Sequence, residues 1–112
     1  MYAYKALVTR VVDGDTVYAA VDLGFYMCAQ LKFRLSDIDT PELYRPINEA
    51  EKIHAREAKD FLSNLILDKH VTIYSEKTGK YGRWLAKIYI DGQSVSEALR
   101  EAGFEKRSDY ES

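Results

Sequence analysis

Leu31-Lys32-Phe33-Arg34-Leu35-Ser36-Asp37-Ile38-Asp39-Thr40-Pro41-Glu42 is the stretch on which the fold turns. Its first half alternates: Leu31, Phe33 and Leu35 take one face of a strand, while Gln30, Lys32 and Arg34 take the other. Arg34 therefore points away from the apolar side. Alternation ends at Leu35, and residues 36–48 carry the Asp, Thr, Pro, Arg and Asn of a loop. Asn48, with Glu51 three residues on, has the form of an N-cap and its capping-box partner. Ile53, Ala58, Phe61, Leu62, Leu65 and Ile66 then form a helical stripe reaching about Leu67.

Upstream, Ala6–Val12 is β-rich and runs into the turn signal Asp13-Gly14-Asp15. Residues 16–22 and 25–35 read as two strands of a hairpin joined at Leu23-Gly24. Downstream, Val71–Ser75 and Arg83–Ile90 are strands separated by the polar loop Glu76–Gly82. Asp91-Gly92 turns the chain into a short helix with Ser94 and Glu97 as capping box and Gly103 as the stop. Three strands, a helix, two strands and a helix predict an α+β, mainly β architecture. A five-stranded OB-fold barrel with two helices has this order.

The 112 residues suit one domain spanning 1–112, large enough to bury roughly two-thirds of its unfolded surface. An apolar fraction of 46% with 30% charged residues excludes a disordered chain. Cys28 is the single cysteine, so no intramolecular disulfide is available. Residues 1–8 lack a signal peptide's apolar core, and no apolar run nears the roughly 20 residues of a membrane span. A cytoplasmic protein without a membrane partner is expected. The net charge of −2 speaks against a polyanionic partner, yet it is unevenly spread. Acids crowd 49–60 and 101–111, whereas Lys77, Lys80, Arg83 and Lys87 have only Glu76 beside them.

Three segments carry groups that could do chemistry. In Asp39-Thr40-Pro41-Glu42, Pro41 fixes its own φ and drives Thr40 extended, so two carboxylates sit on a stiff loop. One could ligate a hard cation while the other serves as a base; the segment would equally suit a helix N-terminus. Asp13-Gly14-Asp15 could offer oxygens to Ca²⁺ or Mg²⁺, although Asp-Gly between β-rich runs is first of all a hairpin turn. Lys80-Tyr81-Gly82-Arg83 combines a point charge, a stacking face and a bidentate phosphate donor, or is simply a solvated loop.

In combination and order, Val12-Asp13-Gly14-Asp15-Thr16, Phe33-Arg34-Leu35 with Asp39-Thr40-Pro41-Glu42, Lys80-Tyr81-Gly82-Arg83, and Asp91-Gly92 before Glu97-Ala98-Leu99 resemble the thermonuclease (staphylococcal nuclease-like) family. The resemblance runs from about Leu7 to Gly103. It implies an OB-fold, Ca²⁺-dependent endonuclease that hydrolyses single-stranded DNA and RNA and leaves 3′-phosphates. By position, Asp15 and Asp39 resemble the calcium carboxylates, with the Thr40 carbonyl as a further ligand. Glu42 resembles the general base, Arg34 and Arg83 the phosphate clamps, and Lys80 and Tyr81 the contacts to the neighbouring phosphate and nucleotide. The rival expectation is a non-catalytic OB-fold module that binds single-stranded nucleic acid or a protein partner.

Two departures from the family pattern carry expectations. The hairpin between Asp15 and Arg34 is longer than in the best-known members. Sequence also stops at Ser112, where the family continues through a tyrosine-bearing strand and a third helix. Apolar surface left bare there would pair two copies as a homodimer, or be covered by Phe104 and the tail around Tyr110. His54 and His70 lack further ligands at zinc-like spacing, and Cys28 is expected to be a packing thiol. Trp84 could stack on a base or pack in the core.

Overall fold

The structure, a computed structural model, describes residues 2–78 and 83–107, apart from the side chains of 76–78. Its strands are β1 (Ala3–Asp13), β2 (Thr16–Gly24), β3 (Met27–Leu35), β4 (His70–Thr78), β5 (Trp84–Ile90) and the two-residue β6 (Gln93–Ser94). Helix α1 (Glu49–Ile66) lies between β3 and β4, and α2 (Val95–Glu101) follows β6. The sheet order is β3-β2-β1-β4-β5-β6, antiparallel throughout. A parallel pairing of Phe33–Leu35 with Trp84–Ala86 joins β3 to β5 and closes the first five strands into a barrel. The fold is the expected mainly β barrel with two helices.

Alternation dictates the core. Val8, Val17, Ala19, Val21, Phe33 and Leu35 point inward with Val71, Ile73, Ala86 and Ile88, and α1 caps them with Leu62 and Ile66. Asn48 caps α1 as expected, its side chain accepting from the Glu51 amide at 3.0 Å. The Glu51 carboxylate reaches back to the Ile47 amide at 2.7 Å, one residue beyond the usual partner. Ser94 caps α2 by accepting from the Glu97 amide.

Three expectations need correction. Ile53 is exposed; the buried stripe of α1 is Glu51, Ala55, Ala58, Leu62 and Ile66. The hairpin turns two residues later than expected: Gly24 pairs with Met27, and Phe25 and Tyr26 occupy the two-residue turn at φ 54° and 60°. Cys28 is exposed rather than packed. It belongs to the outer end of the hairpin, where every residue from Asp22 to Cys28 is exposed, so no core exists for the thiol to join.

At the other end, Phe104 packs against Phe61 and His54, with ring centroids 5.2 and 5.6 Å away. His54 Nε2 donates to the Gly103 carbonyl at 2.8 Å and ties α1 to the end of α2. This is part of the cover expected of Phe104; Tyr110 lies outside the described residues. Among the described residues no helix is long and apolar enough to cross a membrane.

Candidate active site

The site grows from the turn between β1 and β2. Gly14 is required there by space: a Cβ would come within 2.8 Å of Thr40 Oγ1 and 2.9 Å of Ala58 Cβ. Its absence lets Asp13-Gly14-Asp15 settle under α1 and against the 39–42 loop. Asp15 is buried, and its backbone carbonyl accepts from the Leu35 amide at 2.8 Å. One carboxylate oxygen accepts from Thr16 Oγ1 at 3.0 Å, and the other from the Thr40 amide at 3.2 Å. A single aspartate thus fixes both the end of β3 and the start of the proline loop.

Arg34 projects from β3 on the face opposite Phe33 and Leu35. Its Nη2 lies 3.3 Å from Asp15 Oδ2 and also donates to Asp39 Oδ1. Nη1 donates to the carbonyls of Leu35 and, at 3.3 Å, Ile38. The guanidinium is therefore aimed by two carboxylates and two carbonyls, which a flexible ammonium could not satisfy together. Thr40 and Pro41 are buried, whereas Asp39 and Glu42 are exposed. Arg83 stands one residue before the β3–β5 pairing, and that pairing brings it to the same side.

These groups line one pocket of about 650 Å³: Asp13, Asp15, Thr16, Lys32, Arg34, Asp39, Thr40, Pro41, Glu42, Tyr44, Arg83 and Lys106. Six of the eight site residues singled out from sequence meet here. Lys80 and Tyr81 lie outside the described residues. Trp84 is exposed and is neither core nor pocket wall.

Lys106 was not foreseen. Its Nζ sits 3.7 Å from both Glu42 Oε1 and Glu51 Oε2, and its amide donates to the Asp39 carbonyl at 2.7 Å. Glu51 is only 1% exposed, and among the described residues Oε2 has no hydrogen-bond partner, so the ammonium is the charge that compensates it. No motif marked Lys106, which lies in an acidic segment after the last recognisable helix.

Asp13 holds its proton more tightly than an ordinary aspartate. Burial is the main cause, followed by the Asp15 carboxylate; Lys59 opposes, Glu42 adds to the rise and Lys32 opposes. Among the described residues no three His, Cys, Asp or Glu side chains converge as a ready-made cation site. The available donors nonetheless fit a hard cation, being oxygens throughout: Asp15 and Asp39, linked through Arg34, with Thr40 hydrogen-bonded to Asp15.

Residues 32–111 match the family described as Staphylococcal nuclease homologue. The chain is 30% identical over 109 residues to the Thermonuclease of Staphylococcus hyicus, covering 96% of this chain and 60% of that protein. It is 33% identical to Endonuclease YhcR of Bacillus subtilis, over 90% of this chain and 9% of that protein. Uncharacterized protein MJ1439 of Methanocaldococcus jannaschii is also 33% identical, with 90% of this chain and 58% of the relative covered. The chain thus spans less than two-thirds of the length of each. A match over most of its residues, on a closed barrel with an acid-and-arginine pocket, makes this chain a member of the staphylococcal nuclease homologue family.

Proposed function

We propose that this chain is a Ca²⁺-dependent nuclease that hydrolyses phosphodiester bonds of single-stranded DNA and RNA, leaving 3′-phosphate ends. The observation that carries the reading is the meeting of Asp15, Arg34, Asp39, Glu42 and Arg83 in one pocket. Arg34, already aimed by its four acceptors, binds a non-bridging phosphate oxygen and gains strength as negative charge builds in the five-coordinate transition state. Arg83 supplies a second guanidinium from across the β3–β5 junction. Glu42 is exposed and reaches water, from which it takes the proton as the oxygen attacks phosphorus. Lys106, 3.7 Å from Glu42 Oε1, restrains the Glu42 carboxylate. Asp15, Asp39 and the Thr40 carbonyl would hold the ion, which when bound neutralises phosphate charge and helps to position the water. Lys80 and Tyr81 are assigned, on resemblance alone, to the neighbouring phosphate and nucleotide.

The second reading is a non-catalytic OB-fold module for single-stranded nucleic acid or a protein partner; the net charge of −2 favours its protein-binding form. Incubating the protein with single-stranded DNA, duplex DNA or RNA, in Ca²⁺, Mg²⁺ or EDTA, separates the two. Cleavage of single strands in Ca²⁺ that stops in EDTA supports the nuclease. Binding without cleavage under every condition supports the module.

A further inference from the structure

One exposed face of the barrel carries a row of charge that the pocket does not use up. Lys32 of β3, Tyr18 of β2 and Arg10 of β1 are paired Cα to Cα across three strands. Their neighbours Val11, Val17 and Phe33 are buried, so Lys32, Tyr18 and Arg10 share the outward face. Lys32 Nζ lies 5.6 Å and Arg10 Cζ 5.8 Å from the centroid of the Tyr18 ring. Both are within cation–π range, and the shared ring keeps two long side chains from wandering. Among the described residues neither cation makes an ion pair. Asp22, an acid farther along the same face of β2, turns its carboxylate to the Gly24 amide at 2.8 Å.

The row starts at the pocket. Lys32 is part of the pocket wall and stands two positions before Arg34 on the same face of β3. That is about 6.6 Å along a strand, close to one step of an extended nucleotide chain. From Lys32 to Arg10 the row crosses two interstrand gaps of roughly 4.8 Å each. A strand whose cleaved phosphate sits at Arg34 would lay its flanking phosphates along this line. Lys32 also faces the pocket carboxylate Asp13 at longer range, whereas packing of the ring alone does not explain Arg10, an exposed cation without an ion pair among the described residues.

We propose that Lys32, Tyr18 and Arg10 form a second nucleotide subsite, which grips the phosphates flanking the cleaved bond and leads the strand outward across β3, β2 and β1. The proposal rests on the nucleic-acid reading of the pocket and adds to it a direction for the strand. Arg10 is the informative position, because it is exposed and outside the pocket wall. The control is Arg56, an exposed arginine on α1 whose loss changes net charge equally.

The test is fluorescence anisotropy of a labelled short oligothymidylate in EDTA, titrated at several salt concentrations. Arg10→Ala should weaken binding several-fold and lower the slope of log affinity against log salt by about 0.7, the single-strand value for one phosphate. Arg56→Ala should change neither, and Arg10→Lys should keep the slope. Equal behaviour of Arg10→Ala and Arg56→Ala, or no binding by the wild type, overturns the subsite. A cleavage assay keeps this apart from the nuclease reading. Arg10→Ala should raise KM on the oligonucleotide at unchanged kcat, while cutting a dinucleotide as fast as the wild type. An Arg10-specific loss of binding in a protein that cleaves nothing leaves the subsite standing and removes the nuclease.

Discussion

At Arg34 one side chain answers to four acceptors: the carboxylates of Asp15 and Asp39 and the carbonyls of Leu35 and Ile38. Lysine offers no planar fork, so Arg34→Lys should cost on the order of 10²-fold in kcat, by analogy with losing an oxyanion donor. Steady-state kinetics on single-stranded DNA would measure it, and near-full activity would remove Arg34 from the clamp. Asp13 makes a prediction of the opposite kind. Its folded-state pKa is raised, so the folded protein prefers the protonated acid. Stability from this group is complete below the unfolded value of 3.8 and is lost as pH climbs through the raised one. Asp13→Asn should therefore stabilise the metal-free protein at pH 7 and leave it little changed at low pH. Chemical denaturation in EDTA at both pH values checks this; destabilisation at pH 7 would contradict it. Arg34, Asp39 and Glu42 stood out in sequence because a strand-end arginine preceded a stiffened acidic loop. Lys106 gave no such signal, since its role depends on where the chain returns after α2.

The element on which the site leans most is the β1–β2 turn. Asp13-Gly14-Asp15 was legible as a turn; what the sequence left open was that Gly14 also sets the distance to the 39–42 loop and to α1. Gly14→Ala forces a methyl against Thr40 and Ala58 at distances below 3 Å. It should destabilise the protein by about 1–3 kcal/mol, as overpacking usually does. It should also lower activity, because Thr40 and Asp15 separate together. Urea denaturation and a cleavage assay measure the two effects, and a neutral variant would mean that the turn and helix have slack. Both helix caps were readable, because Asn48 and Ser94 act on amides three residues away. The tip of the β2–β3 hairpin was not. Phe25 and Tyr26 at positive φ are residues that local steric preference disfavours there, so sequence placed the turn at the nearby glycine.

Over the whole molecule, the succession of strands and helices followed from local patterns and pointed to the barrel, while the pairing that closes it did not. The β3–β5 pairing joins Phe33 to Trp84 across half the chain, and no periodicity encodes it. That closure draws Arg83 beside Arg34, and α2 with the following segment brings Lys106 to Glu42, so the pocket exists only in the closed barrel. The proposed chemistry of this assembled pocket is phosphodiester hydrolysis, with Glu42 taking the proton from water. The direct measurement is single-turnover cleavage of saturating single-stranded DNA in Ca²⁺ by the wild type and by Glu42→Gln, with binding followed in parallel. The wild type should cleave, and Glu42→Gln should bind equally well but cleave roughly 10²–10⁴-fold more slowly. A wild type that does not cleave, or a Glu42→Gln variant that cleaves at the wild-type rate, would contradict it.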